Sequence, residues 1–103
     1  MKAASERIAA FAMSMSKTYQ VYVLENLSGK RYIGLTEDVT RRLEEHNDGK
    51  SRWTARHRPW DLLWTSRPLS LTEARKLENK MKRQKGGDGL KVLMEEFNRS
   101  SGS

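Results

Sequence analysis

The sequence contains no cysteine and only two histidines among its 103 residues. The absence of cysteine excludes disulfides, thiol catalysis and thiolate metal sites, and two histidines are too few for a conventional zinc cluster. No apolar run approaches the roughly 20 residues that a transmembrane helix needs, and no segment has the strength of a secretory signal. We therefore expect a soluble, intracellular protein of the cytoplasm that does not associate with a membrane.

The charge is strongly unbalanced towards lysine and arginine. Twenty basic residues stand against thirteen acidic ones, which gives a net charge of +7 and an isoelectric point near 10.0. Such an excess favours a polyanionic partner, and nucleic acid is the first candidate. A length of 103 residues predicts one domain. We assign residues 1–16 to an N-terminal extension, 17–98 to the domain and 99–103 to a disordered tail.

Three segments have the composition and alternation of strands. Tyr19–Leu24 and Arg31–Leu35 flank a turn and predict a β-hairpin, which brings Tyr22 and Tyr32 close together. Pro59–Thr65 alternates large apolar residues with others and predicts a third strand. The expected fold is α/β (α+β), a small three-stranded mixed sheet flanked by helices.

Helical spacing appears in three further segments. Val39–Asn47 follows a cap-rich stretch, and a second helix over about Leu71–Lys85 begins at a capping box whose Ser70 lies three residues before a glutamate. A last amphipathic helix begins at about Asp88 and covers the sheet. Lys50–Arg58 predicts a basic loop.

Two side chains of the first helix are candidates for phosphate binding. At about 100° per residue, Arg42 and His46 lie on one edge of its buried side, four residues apart. Arg41 points the opposite way and is expected to pair with Glu45. A purely structural alternative is open for both candidates: Arg42 can extend along apolar surface, and a histidine is favoured near a helix C-terminus.

Glu78 projects into the apolar stripe of the second helix. An unpaired carboxylate facing a core costs several kcal/mol, so this one needs a cation. The residues offer two alternatives, a salt bridge to Lys82 at i+4 or a bound divalent metal. Both stay open at this point.

A basic rim is expected in the loop between the first helix and the third strand. Its charged members should contact phosphates rather than bases; they are Lys50, Arg52, Arg56 and Arg58. Trp53 lies among them and is expected either to stack on a base or to fold back on the core. Lys82 is a further candidate for nucleic-acid binding.

These positions together resemble the GIY-YIG nuclease superfamily. The resemblance rests on Gln20-Val21-Tyr22, then Tyr32-Ile33-Gly34, then Arg42 and His46 four residues apart, then Glu78 on a later helix. The chain looks most like small stand-alone bacterial members, and like the nuclease domain of structure-specific enzymes that cut branched DNA. Gln20-Val21 stands where the family has Gly-Ile, although the tyrosine is in place.

The resemblance implies a GIY-YIG nuclease-like fold and a divalent-metal-dependent endonuclease that hydrolyses DNA, branched or single-stranded, in DNA repair. It implies that Glu78 holds a single Mg²⁺ or Mn²⁺ and that Arg42 neutralises charge on the phosphate. Tyr22 or His46 would take the proton of the attacking water, with Tyr32 nearby. A free phenol has a pKa near 10, so Tyr22 can act as a base only if neighbours lower that value.

Two other classes of function stay open. One is a nucleic-acid-binding module that keeps the GIY-YIG fold but is catalytically weak. The other is a structural or partner-binding domain whose charge serves solubility alone. Cleavage of DNA with and without Mg²⁺ or Mn²⁺ separates a nuclease from these two, and salt-dependent binding separates the binding module from the structural domain.

Overall fold

The computed structural model describes residues 17–84 and 88–102 and has an α+β architecture, which confirms the predicted fold class. The described parts form three strands and four helices. In chain order they are β1 (Gln20–Asn26), β2 (Arg31–Thr36), α1 (Val39–Asn47), α2 (Arg52–Ala55), β3 (Trp60–Thr65), α3 (Leu71–Lys82) and α4 (Asp88–Gly102). None of these helices is both long and apolar enough to cross a membrane.

The sheet has the order β2-β1-β3 and is antiparallel throughout, so the prediction of a mixed sheet is wrong in that detail. β1 and β2 form the predicted hairpin, and Gly29 takes a φ of +84° in its turn. The segment containing α1 and α2 then carries the chain back along the sheet. Consequently β3 begins beside the end of β1, where Trp60 pairs with Asn26, and runs antiparallel to it.

The alternation of side chains along β1 gives the sheet two different faces. Val21 and Val23 lie in a core cluster that is covered by α3 and α4. Tyr22 and Leu24 point to the opposite face, where they cluster with Trp60. Partly buried side chains of β2 and α1 complete this second cluster. The tyrosine of the predicted site is therefore part of a core.

The predicted basic loop contains a helix, so that prediction is wrong for α2. Ser51 stands at its N-cap, and the Ser51 carbonyl oxygen accepts a hydrogen bond from the Ala55 backbone N–H at 2.8 Å. The four residues of α2 make about one turn, which is too short for a hydrophobic period. Tertiary contacts hold it: the Trp60 indole donates to the Thr54 carbonyl at 2.8 Å, and Thr54 is buried.

The predicted ends of the domain fall only partly within the described residues. The N-terminal extension over 1–16 lies outside them. α3 ends at Lys82 with Arg83 as its C-cap, whereas the end predicted near Lys85 lies outside the described residues. The backbone of α4 continues to Gly102, and the division into extension, domain and tail stays a prediction.

Candidate active site

A chain of hydrogen bonds joins three buried side chains from β1, α1 and α2. The Tyr22 hydroxyl lies 2.9 Å from His46 Nε2, and His46 Nδ1 lies 2.8 Å from Thr54 Oγ1. Thr54 Oγ1 donates in turn to the Ser51 carbonyl oxygen at 3.2 Å. All three side chains are almost completely inaccessible to solvent, so this geometry is fixed by packing.

The donor and acceptor of each hydrogen bond follow from the single proton of the threonine hydroxyl. Because Thr54 gives that proton to Ser51, it accepts from His46 Nδ1–H. His46 Nε2 then carries a lone pair and accepts the hydrogen bond donated by Tyr22. The arrangement assigns one tautomer to His46 and directs its basic nitrogen at the phenol.

Burial sets the protonation states of both ends of this pair. Burial, and secondarily the positive charge of Arg42, lower the pKa of His46 to about 4. Burial also raises the pKa of Tyr22 to about 12, against the opposing hydrogen bond from Arg42. At neutral pH the pair is therefore an uncharged imidazole and an intact phenol. A tyrosine base requires a lowered pKa, and the protein without substrate does not lower the pKa of Tyr22.

Tyr32 and Arg42 lie beside the pair, as predicted. The Tyr32 ring packs edge-on against His46 with 4.7 Å between centroids, and 6.2 Å separates it from the ring of Tyr22. Arg42 forms an ion pair with Glu45 at 2.9 Å, which raises the pKa of the guanidinium and lowers that of the carboxyl. Glu45 thus pairs with Arg42 rather than with Arg41, so the predicted pair is wrong. Spacing of i, i+3 and i, i+4 permits either partner.

Gly34 is required by the position of Tyr22. The two residues face each other across β1 and β2, and a Cβ at position 34 would lie on the hydroxyl and ring carbons of the tyrosine. The phenol therefore lies across the neighbouring strand only because that strand has no side chain there.

Glu78 lies on α3 with a side chain that is 16% exposed, and Lys82 Nζ lies 3.1 Å from its Oε2. The salt bridge that the sequence left as one alternative is thus present. Burial is the main cause that raises the pKa of Tyr22, and the negative charge of Glu78 adds a smaller contribution in the same direction. Glu78 and Arg42 therefore act electrostatically on the same phenol.

The donor set fits a weakly held divalent ion with one protein carboxylate. Within residues 17–84 and 88–102, no group of three or more histidine, aspartate and glutamate side chains could hold a metal. Mg²⁺ commonly keeps several waters and binds through one or two carboxylates together with substrate phosphates. Glu78 is the residue that would hold such an ion, as the resemblance in sequence implies.

The residues predicted to bind nucleic acid fall into three groups. Lys50, Arg52 and Arg56 are exposed around α2. Arg58 is exposed, but its guanidinium donates to the carbonyl oxygens of Ala55 at 2.9 Å and Asn47 at 3.3 Å, so it also joins the ends of α1 and α2. Lys82 is the partner of Glu78.

Trp53 folds back on the core, which is one of the two alternatives left by the sequence. Its ring packs on Tyr32, His57 and Trp60 at centroid distances of 6.2, 4.7 and 5.7 Å. It nevertheless stays 42% exposed. The indole is thus held by the aromatic cluster and presents surface to solvent next to Tyr32.

Thr54 is the site residue that sequence reasoning missed. It lies within the predicted loop, where a single threonine in an arginine-rich segment gives no signal of burial. The aromatic and histidine residues around it would have suggested a packed segment, but not the contact with His46 Nδ1.

Most of the chain matches a known family of catalytic domains. Residues 18–91 match the family model of the GIY-YIG catalytic domain. This chain belongs to that family. Membership in the GIY-YIG family implies nuclease activity on a nucleic-acid substrate, and these nucleases generally use a divalent metal.

The GIY-YIG relatives of the chain include small bacterial proteins that share the name UPF0213 protein. One from Streptococcus pneumoniae is 37% identical over 81 residues, covering 78% of this chain and 82% of the relative. Another from Syntrophus aciditrophicus is 35% identical over 81 residues, covering 77% and 92%. One from Staphylococcus epidermidis is 32% identical over 76 residues, covering 73% and 93%. No solved structure matches the chain.

The departure from the GIY-YIG motif lies away from the hydrogen-bonded pair. Gln20 donates from Nε2 to the Ser66 carbonyl oxygen at 2.8 Å, and the Val21 N–H donates to Ser66 Oγ at 3.0 Å. Val21 points into the core cluster on the face opposite Tyr22. Both residues thus anchor β1 to the segment after β3, whereas the phenol bonds to His46 on the other face of the sheet.

Proposed function

We propose that this protein is a divalent-metal-dependent endonuclease that hydrolyses phosphodiester bonds of DNA. The observation that carries the proposal is the buried chain from Tyr22 through His46 to Thr54, set beside Arg42 and within electrostatic range of Glu78. A guanidinium, a phenol and a carboxylate would provide, in turn, charge for a phosphate, a group for a water molecule and a ligand for a cation.

The proton of the attacking water has a defined route in this geometry. A phenol with a pKa near 12 does not ionise by itself at neutral pH. It can take the proton of a water molecule as it passes its own to His46 Nε2, 2.9 Å away. The water oxygen then bonds to phosphorus, the bond from phosphorus to the leaving oxygen breaks, and the leaving oxygen takes a proton from solvent. Tyr22 and His46 thus share the role of base.

The substrate itself assists this transfer. The positive charge of Arg42 is the second cause that holds the pKa of His46 low, after burial. A phosphate bound at the guanidinium offsets that charge, which makes an imidazolium less unfavourable. The site is therefore more basic with phosphate present than without it.

A divalent cation bound at Glu78 would supply further positive charge where negative charge develops on the phosphate oxygens. The carboxylate is held in place by Lys82, whose single charge a doubly charged ion can displace from Oε2. We propose Mg²⁺ or Mn²⁺ for this position, because both favour carboxylate, water and phosphate oxygens.

A nucleic-acid-binding module with weak catalysis is the second candidate. The Glu78–Lys82 ion pair favours it, because a carboxylate whose partner is a lysine has a structural role without any metal. Under this alternative the basic residues bind DNA, and the hydrogen-bonded pair of Tyr22 and His46 serves folding alone.

Cleavage under controlled metal conditions tests the proposal. Supercoiled plasmid and branched DNA are incubated with Mg²⁺, with Mn²⁺ and with EDTA. We expect cleavage with at least one metal and none with EDTA. Binding to the same DNA without cleavage under every metal condition would favour the module.

Three variants of α3 then separate the roles of Glu78. Glu78→Gln keeps the shape but removes the charge, so cleavage should fall by about 100-fold or more. The ion pair is i, i+4 and half exposed on the lysine side, so its loss should cost only about 0.5 kcal/mol, or about 2–4 °C in Tm. Lys82→Gln breaks the same pair and leaves the less exposed carboxylate unpaired, so it should lower Tm at least as much. Glu73→Gln, an exposed site on the same helix, should keep cleavage. Full cleavage by Glu78→Gln would refute the metal assignment.

A further inference from the structure

A polar pocket of about 350 Å³ lies between the end of β2, the start of α1 and the start of α3. Lys17, Arg41 and Arg75 line it together with one acidic residue, Glu37. Its apolar wall includes Leu35 and Leu71. The three cations come from three separate parts of the chain, so the fold, rather than a run of basic sequence, brings them together.

The pocket keeps a net positive charge after its internal pairing. Lys17 Nζ lies 2.7 Å from Glu37 Oε1, which neutralises both. Over residues 17–84 and 88–102, neither Arg41 nor Arg75 takes part in an ion pair. Arg41 is left without its expected partner, because Glu45 is bonded to Arg42.

The pocket adjoins the candidate active site through two helices. Arg75 precedes Glu78 by three residues on α3, so the two side chains are neighbours on one helix face. Arg41 precedes Arg42 on α1. The pocket and the candidate active site therefore draw on the same two helices, α1 and α3.

We propose that this pocket binds a phosphate of the nucleic-acid strand next to the one that is cleaved, through Arg41 and Arg75. The inference rests on the proposed function, because that function places the strand in the site. Two unpaired guanidiniums match a phosphodiester, which presents two non-bridging oxygens to fork-shaped donors. A contact to phosphate oxygens carries no base information, so binding at the pocket should be independent of sequence.

Salt-dependent binding tests the pocket without any need for cleavage. The affinity of the full chain for a labelled duplex is measured by fluorescence anisotropy in EDTA over a series of salt concentrations. Arg41→Gln and Arg75→Gln should each reduce the slope of log K against log salt by about 0.9 if each arginine binds one phosphate. Lys76→Gln removes the same charge from the next, exposed position of α3 and lies outside the pocket, so its slope should stay near the parent value.

Three outcomes of this experiment are informative. Equal slopes for Lys76→Gln and the two arginine variants would overturn the proposal, since the effect would then be net charge alone. Inorganic phosphate is titrated against the parent and the double variant by thermal shift. If it stabilises only the parent while the DNA slope is unchanged in the double variant, the pocket is a free-phosphate site and the proposal is wrong. A reduced slope in a protein that cleaves no DNA would support the pocket and refute the proposed activity.

Discussion

Acidification should destabilise the folded protein through His46. In the unfolded chain this imidazole has its ordinary pKa of 6.5, whereas burial and then Arg42 lower its pKa to about 4 in the fold. Between these values the unfolded chain binds one more proton than the native chain, so stability is lost as the pH falls. At about 1.36 kcal/mol per pKa unit, the full difference is roughly 3 kcal/mol. The side chain is completely buried, so no discount for solvent applies.

The measurement compares urea unfolding of the parent and of His46→Gln at pH 7, 6, 5 and 4. Carboxylates titrate in both proteins, so the difference between the two curves isolates the imidazole. We expect the advantage of the parent to shrink by about 3 kcal/mol over this range. The chain has two histidines, so His57→Gln leaves one imidazole signal for titration by NMR.

Two results would refute this reasoning. A parent and a His46→Gln variant that lose stability in parallel would show that the imidazole does not contribute. An imidazole of the His57→Gln variant that titrates near 6.5 would show that burial does not hold it neutral. The NMR titration stays decisive even if His46→Gln folds poorly.

Two further predictions concern the neighbouring segment. Thr54→Val leaves the His46 Nδ1–H unpaired in the interior, so the free energy of unfolding should fall by about 1–3 kcal/mol. The pH profile of cleavage should also shift, because the tautomer of His46 is no longer fixed. Thr54→Ser should restore both properties, and an unchanged pH profile in Thr54→Val would show that the contact serves packing alone. Arg52→Gln and Arg56→Gln should weaken DNA binding equally for unrelated sequences and reduce the salt slope by about 0.9 for each phosphate that the variant no longer binds. Lys91→Gln on α4 serves as the exposed control in anisotropy, and selective weakening of binding to one sequence would contradict the prediction.

The parts of the fold that the sequence predicted are those with a clear period. Alternation along β1 separates Val21 from Tyr22, and the two do lie in different clusters. The pairing of β1 with β2 confirms that Tyr22 and Tyr32 lie on neighbouring strands. Helical spacing likewise predicted α1, and with it the shared edge of Arg42 and His46.

The remainder depends on contacts between distant parts of the chain. α2 is one turn long and is held by the contact of Trp60 with Thr54, which no local pattern reveals. The choice of Glu45 between two arginines is decided by packing, since both spacings are permitted. The raised pKa of Tyr22 follows from burial, and the sequence of a strand does not reveal how deeply its tyrosine is buried.

The second core cluster of the protein contains its candidate catalytic tyrosine. Tyr22 packs with Leu24 and Trp60, and His46 is as deeply buried as they are. Selection for folding alone would therefore retain Tyr22 and His46 in a descendant that had lost all activity. Glu78 is different, because its i, i+4 ion pair with the half-exposed Lys82 contributes little to stability. Under the proposed function, the presence of this glutamate in a relative is thus a better sign of a working enzyme than the residues that give the family its name.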